Sequence, residues 1–225
     1  MEELKISNLF SDISENTIAY KIFEGKTYPW EVLPLIKDYI IELGKNLNKD
    51  EYKEISENIW VHVNAKVAPT ACLNGPLIID DGAEIRHCAF IRGSAIVGKG
   101  AVVGNSTELK NVILFNKAQV PHYNYVGDSV IGYKSHMGAG SITSNLKSDK
   151  SLVTIKVDDK KIETSLKKMG AVLGDEVEVG CNSVLNPGTV IGKHSNVYPL
   201  SMVRGYIKDN SIYKKQGEVV SKATV

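Results

Sequence analysis

The chain has 225 residues, 43% apolar and 24% charged, enough to bury a core in one large domain or two small ones. With 27 Lys and Arg against 26 Asp and Glu the net charge of +1 gives no overall field for holding a polyanion, which argues against a nucleic-acid partner. Three cysteines without a C-x-x-C pair exclude a disulfide framework, and the lack of a basic-then-apolar leader or of an apolar run of ~18 residues predicts a cytoplasmic protein with no membrane segment.

Residues 1–57 read as a head distinct from the rest of the chain. Residues 1–60 hold seven lysines against twelve carboxylates, net −5, leaving +6 for the rest, a split that suits small anionic ligands on the body. Leu33, Ile36, Ile40, Leu43 and Leu47 recur at helical spacing, which predicts one helix within 29–47 with Thr27 as its cap.

Beyond the head a period of six takes over. Val61, Val67, Leu73, Ile79, Ile85, Ile91, Val97, Val103, Leu109 and Phe115 form an unbroken apolar column, and small residues such as Ala65, Ala71, Ala83, Ala89, Ala95 and Ala101 stand two places earlier. On a strand, residues two apart share a face, so both columns point inward. Glycine often follows the aliphatic, as at Gly98, Gly104, Gly132 and Gly138, where a turn is expected. Three short strands and three corners, one for each hexad, make one coil. Stacked coils make an all-β solenoid, a triangular parallel β-helix spanning 58–204. The period breaks twice, at 119–128 and at 146–169. The first break reads as an insertion loop and the second as a protruding hairpin around Asp158-Asp159-Lys160. Residues 205–225, basic and aperiodic, are expected to lie over the last coil or a neighbouring subunit.

Breaks in a solenoid mark binding loops, so chemistry is sought there. Arg92 and Lys110 each follow an inward aliphatic and are separated by three hexads, one full coil. That spacing stacks two outward cations in one column, a setting for a phosphate or simply two solvated charges. His122 lies in the first break beside Tyr123, Asn124 and Tyr125, groups suited to a polar ligand, with Glu108 placed to orient its imidazole. The run Ser135-His136-Met137-Gly138-Ala139-Gly140 offers bare backbone N–H groups for an amide or an oxyanion.

The segments GNSTELKN (104–111), PHYNYVGDSVIG (121–132) and GAGSITSN (138–145), in that order, resemble the left-handed β-helix domain of glucosamine-1-phosphate N-acetyltransferases. Segments 145–157 and 167–192 are similar to those of the archaeal-type bifunctional sugar-1-phosphate nucleotidylyltransferases, so the resemblance covers about 58–204. It implies a left-handed helix, a homotrimer and acetyl-CoA as co-substrate, with no metal required. It also implies His122 as general base, Arg92 and Lys110 on the sugar phosphate, Tyr125 on the amino sugar and Asn145 near substrate or cofactor. Glu108 is expected beside His122 in the catalytic pair, and His136 on the acceptor at the family's sugar-binding position. Ala139 is the implied acetyl-CoA contact and Lys150 a loose one, and Gly138, Gly140, Cys181 and Pro199 are expected to join them in binding the cofactor. His136 stands where the family usually has Asn, Pro121 replaces the bacterial Gly, and Leu146 stands where the bacterial form has Tyr.

These features predict an N-acetyltransferase acting on an amino-sugar phosphate, most simply glucosamine 1-phosphate, in nucleotide-sugar synthesis. No glycine-rich nucleotide loop occurs in 1–60, so no nucleotidylyltransferase domain is expected in this chain. The competing readings are a non-catalytic nucleotide-sugar-binding or scaffold module that partners a separate nucleotidylyltransferase, and an acyltransferase for another amine. A carbonic anhydrase of the same solenoid class needs two His five residues apart, and His62, His87, His122, His136 and His194 contain no such pair.

Overall fold

The computed structural model describes residues 1–215 and 218–222. Short strands, most of two to four residues, alternate with tight corners and climb in a parallel β-helix of triangular section. Strand Leu77–Ile79 pairs in parallel with Ile59–His62 below it and Ala95–Val97 above it, each partner three hexads away in sequence. The inward residues Leu77, Ile79, Ile85, Ile91, Val97, Val103 and Leu109 form one continuous core, all nearly inaccessible.

The first break in the period is not an insertion. Val112 pairs with Ala95 and with Ser129, each one residue short of a full coil away, so two successive coils lack one residue at the same corner. Strands Glu108–Leu114 and Tyr125–Ile131 run straight through that corner, with Asn111 (φ 54°) and Asp128 (φ 48°) in the left-handed region. Residues 119–128 therefore form two ordinary sides of a coil, Gln119–His122 and the start of Tyr125–Ile131, with Val120 and Val126 in the core. The same deletion corrects the apolar column: Leu114, not Phe115, occupies the core, and Phe115 points outward against Phe10 and Phe23 of the head.

The glycines after the aliphatics serve close approach, not turning. Gly104 has an ordinary φ, but a Cβ there would overlap the Pro121 carbonyl of the next coil. The positive φ angles fall two or so residues further on, at corner residues such as Gly100, Ser106 and Tyr123.

The prism has three faces. The first runs through Leu77–Ile79, Ala95–Val97, Val112 to Leu114, Ser129 to Ile131, Ala171–Leu173 and Thr189–Ile191. Its outward residues Ile78, Ile96, Ile113, Val130, Val172 and Val190 are also buried, because the head and the 146–169 segment cover them. In the head, Pro29–Leu35 forms a 3₁₀ turn, as Pro34 lacks an N–H, and Ile36–Lys45 the helix proper. The cap is Tyr28 rather than Thr27, and the Glu31 carboxylate accepts from both backbone N–H groups. Strands Thr154–Val157 and Lys160–Glu163 form the expected hairpin, but it lies flat instead of protruding. Val153, Ile155 and Val157 are buried on the first face, where Gly188 and Gly205 let the hairpin backbone approach.

The segment from 205 continues the solenoid instead of draping over it. Tyr206–Ile207 pairs with Val190 and Ile191, and Ser211–Lys215 pairs with Asn196 and Val197, then with Glu218–Ser221. Residues 216–217 and 223–225 of that segment lie outside the described residues.

Candidate functional site

The second face runs through Glu84–Ile85, Val102–Asn105, Gln119–His122 and His136–Met137. The third runs through Phe90–Ile91, the starts of Glu108–Leu114 and Tyr125–Ile131, and Ile142–Thr143. The second ends and the third begins at an edge whose residues stack coil upon coil. His122 pairs with Asn105 in the coil below. Along this edge each corner N–H donates to a carbonyl of the preceding coil: Tyr123 to Asn105, Gly140 to His122, Asn182 to Ala139 and Leu200 to Cys181, at 2.9, 3.0, 2.8 and 2.9 Å. Asn105, His122, Ala139, Cys181 and Pro199 thus form one column, with neighbours ~4.8 Å apart. The imidazole of His122 is exposed and bonds no side chain among the described residues, while its backbone N–H is held by Asn124.

Asn124 is not a ligand group. It is 2% exposed and points into the solenoid, where Oδ1 accepts from His122 and Nδ2 donates to the Gly138 and Ser141 carbonyls at 2.9 and 3.0 Å. One buried amide staples the His122 corner to the Gly138–Gly140 corner, a satisfied network of the kind that fixes a unique geometry. The bare N–H groups expected in that run are mostly committed: Gly138 donates to Val179 and Gly140 to His122. Among the described residues the Ala139 N–H has no acceptor in the chain, which makes it the one free donor of the three.

Arg92 and Lys110 do stack in one column of the third face, since Leu109 pairs with Ile91. Each is already matched by a carboxylate. Glu108 bonds Arg92 at 2.8 Å rather than orienting His122, and this hydrogen bond, with the nearby charge, raises the Arg92 pKa further. Lys110 meets Asp128 at 2.8 and 2.9 Å. Two cations and two carboxylates leave the patch neutral overall, with the outer donors of Arg92 and Lys110 still partly open to solvent.

Tyr125 sits beside Glu108 in the next coil and folds its phenol over Gly127, where a Cβ would stand 2.5 Å from the hydroxyl. Burial, then the Asp128 and Glu108 charges, push the phenol pKa up. Asn145 donates to both the Tyr125 hydroxyl and Asp128. Arg92, Lys110, Tyr125 and Asn145 therefore come together, around the corner from His122.

Two expected residues stand apart. His136 projects from the second face, three residues before Ala139 and one coil above Gln119, about 11 Å from His122 by strand spacing. Its Nδ1 meets Glu178 at 3.0 Å, away from His122. Lys150 lies in the turn leading off the third face toward the hairpin, away from Cys181 and Pro199. Asp128 and Asn111 are residues that the sequence alone does not single out. The signal available for them is an Asx residue that recurs one place short of a full coil, the spacing at which the coil shortens. Among the described residues no three His, Cys, Asp or Glu side chains gather to hold a metal ion, and no helix is long and apolar enough to cross a membrane.

A period-six parallel β-helix with an exposed histidine on one edge places the chain in the class of hexapeptide-repeat, left-handed β-helix proteins. Residues 73–202 match the family described as the GMPPB C-terminal domain, and the chain belongs to that family. It is 32% identical over 207 residues to the Bifunctional protein GlmU of Methanococcus aeolicus, covering 83% of this chain and 50% of that protein. It is 29% identical over 196 residues to the bifunctional sugar-1-phosphate nucleotidylyltransferase/acetyltransferase of Sulfurisphaera tokodaii, covering 78% and 49%. A putative acetyltransferase structure from Bacillus cereus superposes with a TM-score of 0.47 at 13% identity, over 71% of this chain and 78% of that one. The chain spans about half the length of the curated relatives it matches.

Proposed function

We propose that this chain transfers an acetyl group from acetyl-CoA to the amine of an amino-sugar phosphate, with glucosamine 1-phosphate the simplest acceptor. The observation that carries this reading is the column in which the unbonded imidazole of His122 lies one coil from the free Ala139 N–H, with the Arg92–Lys110 pair around the same corner. An ammonium cannot attack a thioester. Once it has lost one proton to solvent, the amine nitrogen bonds the carbonyl carbon while His122 takes a second proton from it, the Ala139 N–H donates to the developing oxyanion, and the C–S bond breaks. The proton held on His122 then goes to the departing thiolate, leaving an amide and free CoA. Arg92 and Lys110 bind the phosphate through their outward donors and so fix the amine within reach of His122. Cys181 and Pro199 continue the edge along which the pantetheine arm lies.

His122 sits on a convex edge and cannot exclude water alone, so the reading includes a homotrimer in which a neighbour supplies the second wall. Light scattering should report three copies; a fully active monomer would remove the shared-wall part. The deciding experiment measures CoA release against a panel of amino-sugar 1-phosphates, 6-phosphates and nucleotide-linked amino sugars. Turnover confined to one phosphorylated class supports the proposal and names the acceptor. No release with any member supports the second reading, a non-catalytic sugar-nucleotide module, which the internal pairing of both cations favours.

A further inference from the structure

Asp128 is the most enclosed carboxylate at the site, 4% exposed. Its oxygens accept from Lys110 at 2.8 and 2.9 Å, from Asn111 Nδ2 at 3.0 Å and from Asn145 Nδ2 at 2.5 Å. A carboxylate has about four acceptor positions, so none is left for a ligand. The residue acts only through the groups it holds. A buried charge is costly unless fully paired, and the pairing here draws in three coils and the head. Asn111 Nδ2 also donates to the Leu33 carbonyl at 3.1 Å, Asn145 Nδ2 also donates to the Tyr125 hydroxyl, and the Gly170 N–H, where the hairpin segment rejoins the solenoid, donates to the Asp128 carbonyl at 2.8 Å. The single-residue deletions at Asn111 and Asp128 bring these side chains together. Both residues occupy left-handed corners, which Asn and Asp adopt more readily than other side chains with a Cβ.

We propose that Asp128 is a positioning residue: it aims Lys110 and Asn145 at the acyl acceptor and neutralises one of the two cations there, while Asn111 ties this setting to the head. The inference rests on the acyl-acceptor reading above. A phosphate meets Lys110 from the open side with the Asp128 carboxylate behind the ammonium. It is held loosely but in one orientation, which favours delivery of the amine over trapping of the anion.

The test titrates inorganic phosphate into the full chain at low salt, for wild type, Asp128→Asn, Asn111→Gly and Lys110→Ala, with acetyl transfer to the phosphorylated acceptor measured in parallel. Asn and Gly both accept left-handed corners, so the backbone is kept. In Asp128→Asn the new amide hydrogens face Asn111, Asn145 or Lys110, all donors, and one of these is released. Phosphate should then bind about three- to tenfold more tightly, the effect of removing a unit charge about 7 Å away in a water-like medium. kcat should fall about tenfold or more while KM for the acceptor does not rise. Asn111→Gly removes no charge, so phosphate affinity should stay within about twofold while kcat falls by less than in Asp128→Asn with KM unchanged. If Asp128→Asn does not fold, an unchanged kcat in Asn111→Gly overturns the proposal. Lys110→Ala should lose phosphate binding. Unchanged phosphate affinity in folded Asp128→Asn overturns the proposal, because a merely structural residue leaves that affinity alone. Phosphate that binds neither wild type nor variant overturns it too. A wild type that binds phosphate through Lys110 yet transfers no acetyl group sinks the acyltransferase reading, and the phosphate arm still decides the role of Asp128.

Discussion

Phe115 sits where the head meets the solenoid, and its replacement measures how firmly the two are joined. The ring is fully buried, 4.7 Å from Phe10 and 5.7 Å from Phe23, centroid to centroid. Truncation to Ala removes a large apolar side chain and leaves a cavity walled by two aromatic rings, a loss of about 3–5 kcal/mol. For a chain of this length that corresponds to a drop in Tm of roughly 6–20 °C. A residue pointing into the solenoid core would cost about as much, so the single variant does not discriminate. The double-mutant cycle with Phe10→Ala does. Rings in contact should show a coupling of about 0.5–1.5 kcal/mol beyond additivity, read from urea unfolding followed by far-UV circular dichroism and by tryptophan emission. Trp30 and Trp60 are both buried in the same head cluster, so emission reports on that interface. Additivity of Phe10→Ala and Phe115→Ala within about 0.3 kcal/mol would refute the outward placement of Phe115.

His122→Ala should lower acetyl transfer by ~10²–10⁴-fold while acetyl-CoA still binds by calorimetry; near wild-type turnover would take His122 out of the reaction. Arg92→Ala and Lys110→Ala should each raise KM for a phosphorylated amino sugar far more than for the same sugar without phosphate, and equal losses on both acceptors would end the phosphate-clamp argument. Burial lifts the Asp175 carboxyl above the 3.8 of a free aspartate, against N–H donors from Ser11 and Tyr133 that pull it down. A folded-state pKa above the unfolded one means that its contribution is fully present below 3.8 and is lost as pH rises through the folded value. Asp175→Asn should therefore gain on wild type in urea stability over that rise, and a pH-independent difference would contradict it.

The apolar column from Val61 to Leu109 makes the solenoid legible, because only a stacked coil repeats every six residues over such a length. Extrapolating the same period to Phe115 fails, since one missing residue at the corner shifts every later side chain to the opposite side of its strand. The cover on the first face is also written in the chain. Leu77-Ile78-Ile79, Ala95-Ile96-Val97 and Ala171-Val172-Leu173 are unbroken apolar triplets, the pattern of strands buried on both sides. The site is legible as columns, which follow from spacing: Arg92 with Lys110. It is not legible as pairs. Whether Glu108 reaches Arg92 or His122 depends on rotamers across neighbouring coils, and whether Asn124 faces in or out depends on the corner geometry.

The stacked edge works as a ruler graduated in coils. Lys110 lies one mark below the level of His122, Ala139 one mark above it, Cys181 two and Pro199 three, with marks ~4.8 Å apart. Chain length is decoupled from this scale. The stretch from Ala139 to Cys181 is more than twice as long as an ordinary coil yet advances one mark, because 146–169 leaves the axis and returns to it. On the acyltransferase reading proposed above, the reach between the phosphate end and the thioester end of a bound pair is an integer set by the number of coils between Lys110 and Ala139. Insertions of any length that leave and rejoin the same coil do not alter it, whereas one extra coil between those residues lengthens it by a full mark, more than a hydrogen bond or an attacking amine can span.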